Sequence, residues 1–536
     1  MQFGRCLAIF MMLVLAVLAS GSDSNDDDSK DDDSRIIRPL LGVNSGPGAF
    51  QPVEGYPDVT TQYQKIGVES VRFHDYYGAN DIMCYFPDEN ADPLLDESYD
   101  WTETDQEYQK ILDGGFAPMI RLGQGWRNMT SWGPYDGKPT GYLKNGCEFW
   151  KTPGSLSRTA LRSGPDIFSK LLAHLNDQSL WGKAPIDGAY VEIWNEANIL
   201  AINTKIPQCQ CDSEETCGYD RPNYEWDGTP EEFSQFFAAT AKRLKADYPE
   251  MKIGGPGLHN MGCGAGNLTP YQNQIGRKWT RNFLGYLQAN DVPLDFFSWH
   301  LYDSNPANFK ECYDNINEDL ETYGYGDIEH LVTEYNTTFS AGNIGSLAGA
   351  AEVTGIWISL QKDMPKVTRA FLYRGNDGPF VPDGDGFPIC YDPTSGPSPT
   401  PPAFGTSGVG LFDRGGESKP IALAFSFWAE MAGRQQVGVD TYLDNASNSS
   451  VYSLAGYSSG GGSGGLNVLI SSLPPAGGSS GEVNFDAAAL AQKYGFELIE
   501  VQAIDQLGDT PSTVSLDPSG ILQVQDNTVY LLRFRD

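Results

Sequence analysis

From residue 40 to about residue 432, short apolar runs rich in β-branched residues alternate with amphipathic stretches of helical length. That alternation is the pattern of repeated βα units around a parallel sheet. Eight runs read as strands, at residues 41–44, 70–74, 118–122, 189–194, 252–255, 296–300, 330–334 and 369–374. Eight parallel strands predict a closed (β/α)8 TIM barrel. The stretches between them carry helix signals. Residues 104–112 place Tyr108, Ile111 and Leu112 on one face before Gly114 and Gly115, and Pro230 opens a segment carrying Phe233, Phe236, Phe237 and Leu244. Beyond Gly433 the period changes to short alternating strands, at 450–454, 466–470, 496–503 and 528–534, separated by Gly/Ser-rich turns at 458–465 and 476–481. A C-terminal antiparallel β-sandwich domain is expected there.

The first residues bear on compartment. After Arg5, the run 7–19 is uninterrupted apolar, too short to span a bilayer, and ends in Ala19, Ser20 and Gly21. This is the form of a cleaved secretory signal. Residues 22–34 hold seven Asp and no apolar residue, a charge run that buries nothing and reads as a disordered spacer. The expected division is therefore a signal peptide at 1–21, a spacer at 22–35, a catalytic barrel at 36–435 and an accessory sandwich at 436–536. No later stretch is apolar for long enough to form a membrane helix, so a soluble or loosely attached secreted protein is expected.

Composition narrows the function classes. Lys and Arg total 36 against 70 Asp and Glu, a formal charge of −34. Such a field repels phosphate backbones and anionic lipid, which argues against nucleic-acid and membrane partners. Of nine cysteines, Cys6 lies in the signal. The remaining eight (Cys84, Cys147, Cys209, Cys211, Cys217, Cys263, Cys312, Cys390) fit an exported, disulfide-bonded chain. By the strand count each falls after a strand and before the next helix, so disulfides are expected to staple the catalytic rim. Zinc is disfavoured at Cys209, Cys211 and Cys217, whose spacing suits neither ribbon nor finger and which have no nearby His. Of five Asn-x-Ser/Thr sequons, Asn445 and Asn448 are the better glycosylation candidates, Asn128 is neutral, Asn267 is doubtful because Pro270 follows, and Asn336 is expected to be unmodified.

In a parallel barrel the catalytic groups sit at the C-terminal ends of the strands. The fourth strand runs into Trp194, Asn195, Glu196, Ala197 and Asn198, and the seventh ends in Thr333, Glu334, Tyr335 and Asn336. Two carboxylates entering one barrel mouth from opposite sides is the arrangement that glycoside hydrolysis requires, one to protonate the leaving oxygen and one to attack the anomeric carbon or activate water.

The segments YVEIWNEAN (190–198), FSWHLY (297–302), LVTEYNT (331–337) and GLFDRGGESKPIALAF (410–425) resemble glycoside hydrolase family 39, of the retaining (β/α)8 glycosidase clan that includes β-xylosidases and α-L-iduronidases. VRFHDYY (71–77) and the stretch 91–123 extend the likeness upstream. The resemblance implies that Glu196 is the general acid/base and Glu334 the nucleophile. It also implies that Asn195 binds the sugar 2-hydroxyl, that Tyr302 hydrogen-bonds the nucleophile, and that Arg72, His74 and His300 line the substrate pocket; no cofactor and no metal is implied. Three positions depart from the family pattern: Ala197 where Pro is frequent, Tyr335 where Trp is frequent, and Arg374 after the eighth strand, where an aromatic usually floors the first sugar subsite. Arg374 is a candidate for binding a sugar carboxylate or sulfate, or for pairing with Glu334 or a nearby Asp.

Long loops are expected at about 123–164, 197–229 and 375–419. Trp126, Trp132, Tyr135, Tyr142, Trp150, Tyr219, Tyr224 and Trp226 on them are candidates for stacking on sugars or for packing the loops' own cores. A catalytically inactive carbohydrate-binding barrel is the alternative. A metal hydrolase using His74, His259 and His300 is disfavoured by five histidines with no paired ligand spacing. The partner expected in either main reading is a carbohydrate; sugar, anomer and oligomeric state stay open.

Overall fold

The computed structural model describes residues 35–48, 57–74, 80–124, 155–181, 189–198, 225–259, 261–263, 269–337, 345–375, 377, 409–413, 415–444, 450–459, 464–474 and 483–535. The eight expected strands form one closed barrel in sequence order. They are β1 (Leu41–Asn44), β2 (Ser70–Phe73), β3 (Ala117–Leu122), β4 (Tyr190–Ile193), β5 (Lys252–Leu258), β6 (Phe296–Tyr302), β7 (Glu329–Asn336) and β8 (Val367–Leu372). All neighbours are parallel, and β8 closes on β1 through Leu41–Ala370, Gly42–Phe371 and Val43–Leu372. The eighth strand starts and ends two residues earlier than the run at 369–374, so Tyr373 and Arg374 lie beyond it.

Local chemistry sets where the helices begin. Thr229 accepts from the Glu232 amide while the Glu232 side chain accepts from the Thr229 amide, with Pro230 as the first helical residue. Thr269, Pro270 and Gln272 repeat this capping box, which satisfies amides that a helix start leaves without intrahelical partners. Asn305 caps the helix Pro306–Thr322. The third loop is shorter than expected, because the helix Ser155–Leu175 already begins inside 123–164.

Inside the barrel, Met119, Phe296, Leu331 and Phe371 form a small apolar cluster with Tyr190 against it. These five come from β3, β6, β7, β8 and β4, and they close the barrel below the polar residues at the strands' C-terminal ends.

The C-terminal part is antiparallel, as expected. A six-stranded sheet is built from Gln435–Val437, Ser450–Ser458, Gly465–Leu473, Glu497–Ile504, Ser512–Thr513 and Thr528–Arg535. A three-stranded sheet of Leu443–Asp444, Val483–Asp486 and Ile521–Val524 accompanies it. Its own core includes Val468, Ile470, Phe485, Leu522, Leu532 and Phe534. The helix Leu347–Asp363 is buried almost throughout, since one side faces the barrel and the other meets the large sheet, where Ser471 donates to the Ala351 carbonyl at 2.5 Å. Among the described residues no helix is long and apolar enough to cross a membrane. The expected signal peptide and spacer lie outside the described residues, apart from Arg35.

Candidate active site

Glu334 lies on β7 and is buried. Its Oε1 accepts from Arg72 Nη1 at 2.7 Å and faces His74 Nε2 at 3.2 Å; its Oε2 accepts from the Tyr302 hydroxyl at 2.7 Å. Burial works against the charged carboxylate, but His300, His74 and Arg72 outweigh it and hold the group well below the usual range. Burial, with Arg72 and Arg121 nearby, pushes His74 down to about 3, so the imidazole is neutral and offers Glu334 a donor rather than a charge. Burial and the Glu334 charge raise Tyr302 well above a free phenol, which keeps its donating hydrogen in place.

Glu196 follows β4 on a strained turn: Trp194 has φ 79° and Glu196 φ 45°, both in the left-handed region that non-glycine residues rarely occupy. Two bonds hold that turn. The Glu196 amide donates to the Gly257 carbonyl at 2.9 Å, and the Trp194 indole donates to the Glu225 carbonyl at 3.0 Å. Glu196 Oε1 meets two imidazoles, His300 Nδ1 at 2.8 Å and His259 Nδ1 at 3.2 Å. Burial pushes the Glu196 carboxyl up, but His259 and the hydrogen bonds from both rings outweigh it and hold the group down at about 2. His259 is correspondingly raised, because Glu196 and Glu334 outweigh its own burial.

A chain of polar contacts joins the two carboxylates below the mouth. Arg72 donates Nε to Glu192 Oε2 at 2.7 Å, Nη1 to Asn44 Oδ1 at 2.9 Å and Nη2 to Asn195 Oδ1 at 2.8 Å. Glu192 Oε1 accepts from the Thr333 hydroxyl at 2.7 Å, and Thr333 Oγ1 lies 3.1 Å from His300 Nε2. A shift in register between β6 and β7 makes this possible: Trp299 pairs with Val332 but His300 pairs with Glu334, which leaves Thr333 as the extra residue of β7. Such a bulge lets consecutive side chains serve one face of a strand.

Seven of the eight expected site residues, Arg72, His74, Asn195, Glu196, His300, Tyr302 and Glu334, therefore converge. Arg374 is buried beside them, but its guanidinium lies against the ring of Tyr373, 6.0 Å from the centroid. It is also near enough to Lys419 to help burial lower that amine. Tyr373 itself stands 6.3 Å, centroid to centroid, from both His74 and Tyr302, so an aromatic does stand directly after the eighth strand.

Sequence reasoning missed Asn44, Glu192, His259 as a partner of Glu196, Thr333 and Tyr373. Glu192 carried a signal: a carboxylate inside an apolar strand must meet a cation, and Arg72 was available. Trp226 packs on Trp194, Phe233 and Phe236 and belongs to the core. The other loop aromatics named above lie outside the described residues.

Cys263, after β5, is disulfide-bonded to Cys312, which sits inside the helix Pro306–Thr322 and not before it as expected; Cys84, also disulfide-bonded, sits in the short helix Ile82–Tyr85. The helix start at Pro306 explains the first difference, since Asn305 caps it directly after the sixth strand's loop. The remaining mature cysteines, and the sequons Asn128, Asn267, Asn445 and Asn448, lie outside the described residues. Asn336 is fully buried and donates to the Tyr373 carbonyl at 2.7 Å.

Glu196, His300 and Glu334 each present a donor atom within 4.8 Å of the others. The set does not fit a metal ion, because the Arg72 guanidinium already lies 2.7 Å from Glu334 and would face any cation placed there.

No family model matches the chain. It is 21% identical over 303 residues to a β-xylosidase of Geobacillus stearothermophilus, covering 52% of this chain and 48% of the relative. It is 23% identical over 243 residues to a β-xylosidase of Caldicellulosiruptor saccharolyticus, covering 45% of this chain and 38% of the relative. The matches thus span about half or less of the curated relatives' length. Among solved structures, a family 39 β-xylosidase from Caulobacter crescentus superposes with TM-score 0.56 at 16% identity, covering 94% of this chain and 98% of that one. In sequence the chain is similar to β-xylosidases, and in fold to a family 39 enzyme. A glucosidase from Croceicoccus marinus superposes with TM-score 0.58 at 17% identity, covering 94% of this chain and 98% of that one.

Proposed function

We propose that the protein is a secreted retaining glycoside hydrolase in which Glu334 is the nucleophile and Glu196 the general acid/base. The observation that carries the reading is the approach of the two carboxyl groups, whose oxygens come within 4.8 Å of each other. That spacing favours direct attack over an interposed water, which needs carboxylates about 6.5–9.5 Å apart. The environments divide the roles. Both carboxyls are held low and their partners differ: Glu334 is fixed as an anion by Arg72, His74 and Tyr302, as a nucleophile must be, while Glu196 faces two imidazoles able to carry the proton that it relays. In the first step a Glu334 oxygen bonds to the anomeric carbon, the glycosidic C–O bond breaks with its electron pair, and Glu196 delivers a proton to the departing oxygen. Water then attacks the ester, its proton returns to Glu196 and Glu334 leaves. The apolar run at 7–19 and the Cys263–Cys312 disulfide support an extracellular site of action. The relatives' names make aryl β-xylosides, and then aryl glucosides of either anomer, the first substrates to try.

Azide tests the roles. Glu334→Ala abolishes turnover, and azide entering the vacated space yields a glycosyl azide of inverted configuration. Glu196→Ala still forms the glycosyl-enzyme from an activated aryl glycoside, and azide releases it with retained configuration. The opposite responses reverse the assignment. Absence of turnover by the intact protein on a panel of xyloside, arabinoside, galactoside, glucoside and iduronide leaves a carbohydrate-binding barrel instead.

A further inference from the structure

Thr333 has one hydroxyl hydrogen, and the 2.7 Å contact to the buried Glu192 carboxylate commits it there. The same Glu192 carboxylate pairs with the Arg72 guanidinium at 2.6 Å, so Glu192 is the acceptor and Thr333 the donor of that bond. Toward His300, Thr333 Oγ1 is therefore an acceptor, and the 3.1 Å contact requires a hydrogen on Nε2. The other ring nitrogen, Nδ1, lies 2.8 Å from Glu196 Oε1 and 3.6 Å from Glu334 Oε2. With Nε2 protonated, only two arrangements make the 2.8 Å contact attractive: a protonated Glu196 donating to a neutral ring, or an imidazolium donating to an ionised Glu196. Both place one proton between Oε1 and Nδ1. Its loss would leave two acceptors facing each other in a buried site, with Glu334 as a third acceptor behind them.

We propose that Thr333 is a positioning residue: its hydroxyl, oriented by Glu192, holds His300 with a proton on Nε2 and so stores the acid's proton in the contact between His300 and Glu196. This rests on the reading of Glu196 as the acid. In catalysis that proton passes to the glycosidic oxygen as the C–O bond breaks, and the attacking water of the second step supplies its replacement. The β6–β7 register shift is what places Thr333 beside the ring, one residue before the nucleophile.

The charged groups around His300 come from several elements. Glu192 and Glu196 belong to β4 and the turn after it, Thr333 and Glu334 to β7, and Arg72 and His74 to β2. Tyr302 follows on β6, His259 comes after β5, and buried Glu225 lies near Glu196. Among the described residues, Thr333 alone hydrogen-bonds His300 Nε2.

The test joins activity to a spectroscopic signature. In Thr333→Val the Nε2 hydrogen loses its acceptor, so the His300–Glu196 pair gives up its proton at lower pH. The alkaline limb of kcat/KM should move down by about one pH unit. Substrates with poor leaving groups should lose about tenfold in kcat, and activated aryl glycosides much less. Thr333→Ser should restore the wild-type limb. The full chain has five histidines, so 15N-histidine spectra are tractable, with His300→Gln supplying the assignment. The wild-type spectrum should show His300 protonated at Nε2 across the active pH range, and Thr333→Val should not. A wild-type His300 with bare Nε2 overturns the proposal even if the valine variant does not fold. An unchanged limb and spectrum in Thr333→Val overturn the role of Thr333 alone, whereas lack of any glycoside turnover by the wild type overturns the proposed function and the arming role with it.

Discussion

Arg72 and Glu334 are joined at 2.7 Å by a guanidinium that is fully buried and that also binds Glu192 at 2.6 Å. One cation thus balances two buried carboxylates, and burial, which alone would lower it, is outweighed by both so that the guanidinium is held above its ordinary range. Arg72→Met should destabilise the protein by about 3–5 kcal/mol in urea unfolding, because it strands both carboxylates. Adding Glu192→Gln should recover part of that loss, as residues of one network do not act additively. Equal stability of Arg72→Met and wild type would show that the pair is not held as described.

Tyr302 should matter to rate through its bond to Glu334. Tyr302→Phe removes one hydrogen bond to the ionised Glu334, worth about 1.5–3 kcal/mol, and should lower kcat about 10–100-fold. The ring's packing remains, so the loss of stability in urea unfolding should not exceed that one hydrogen bond, about 1.5–3 kcal/mol. A variant with wild-type kcat would remove Tyr302 from the machinery.

His330 is buried, packs on Tyr313, and is pushed down to about 3 by burial and by Lys366. A histidine with a depressed folded value takes its proton first in the unfolded chain. Its contribution is therefore complete above the unfolded value near 6.5 and shrinks as pH falls toward 3. His74, also down at about 3, acts with the same sign. Between pH 7 and pH 5, wild type should lose on the order of 2 kcal/mol more stability than His330→Gln. Urea titrations at the two pH values measure this, and parallel losses in both proteins would contradict it.

Gly257 has φ +62°, and a Cβ there would stand 3.2 Å from both Glu192 Oε1 and His300 Nε2. Gly257→Ala should cost about 1 kcal/mol for the backbone alone. It should also disturb activity, since the Gly257 carbonyl holds the Glu196 amide. Steady-state kinetics on an activated and an unactivated glycoside separate the two effects, and unchanged kinetics would show that the neighbours yield freely.

Asn336 should carry no glycan although its sequon is intact, because its amide is spent on the Tyr373 carbonyl inside the protein. Peptide mapping that found a modified Asn336 would contradict the burial of the β7 end.

The strand count, the helix opened by Pro230, a helix over 104–112 that the structure extends to Thr102–Asp113, and the change to antiparallel strands after Gly433 were legible along the chain. Apolar period and capping residues are local signals, and a closed parallel barrel is what eight such units support. The two glutamates were legible for the same reason, since strand ends of a barrel share one mouth. What tertiary structure alone decided is how the site is wired. Alternation along β7 would send Thr333 and Glu334 to opposite faces, yet the register shift against β6 brings both to the same network. His259 meets Glu196 only because β4 and β5 are neighbours and Gly257 holds the Glu196 turn. Arg374 lies against the ring of its neighbour Tyr373, while its backbone pairs with Val409 and Leu411, partners distant in sequence. Hydrogen-bond partners across a barrel are set by register and backbone strain, neither of which is encoded in any short stretch of residues.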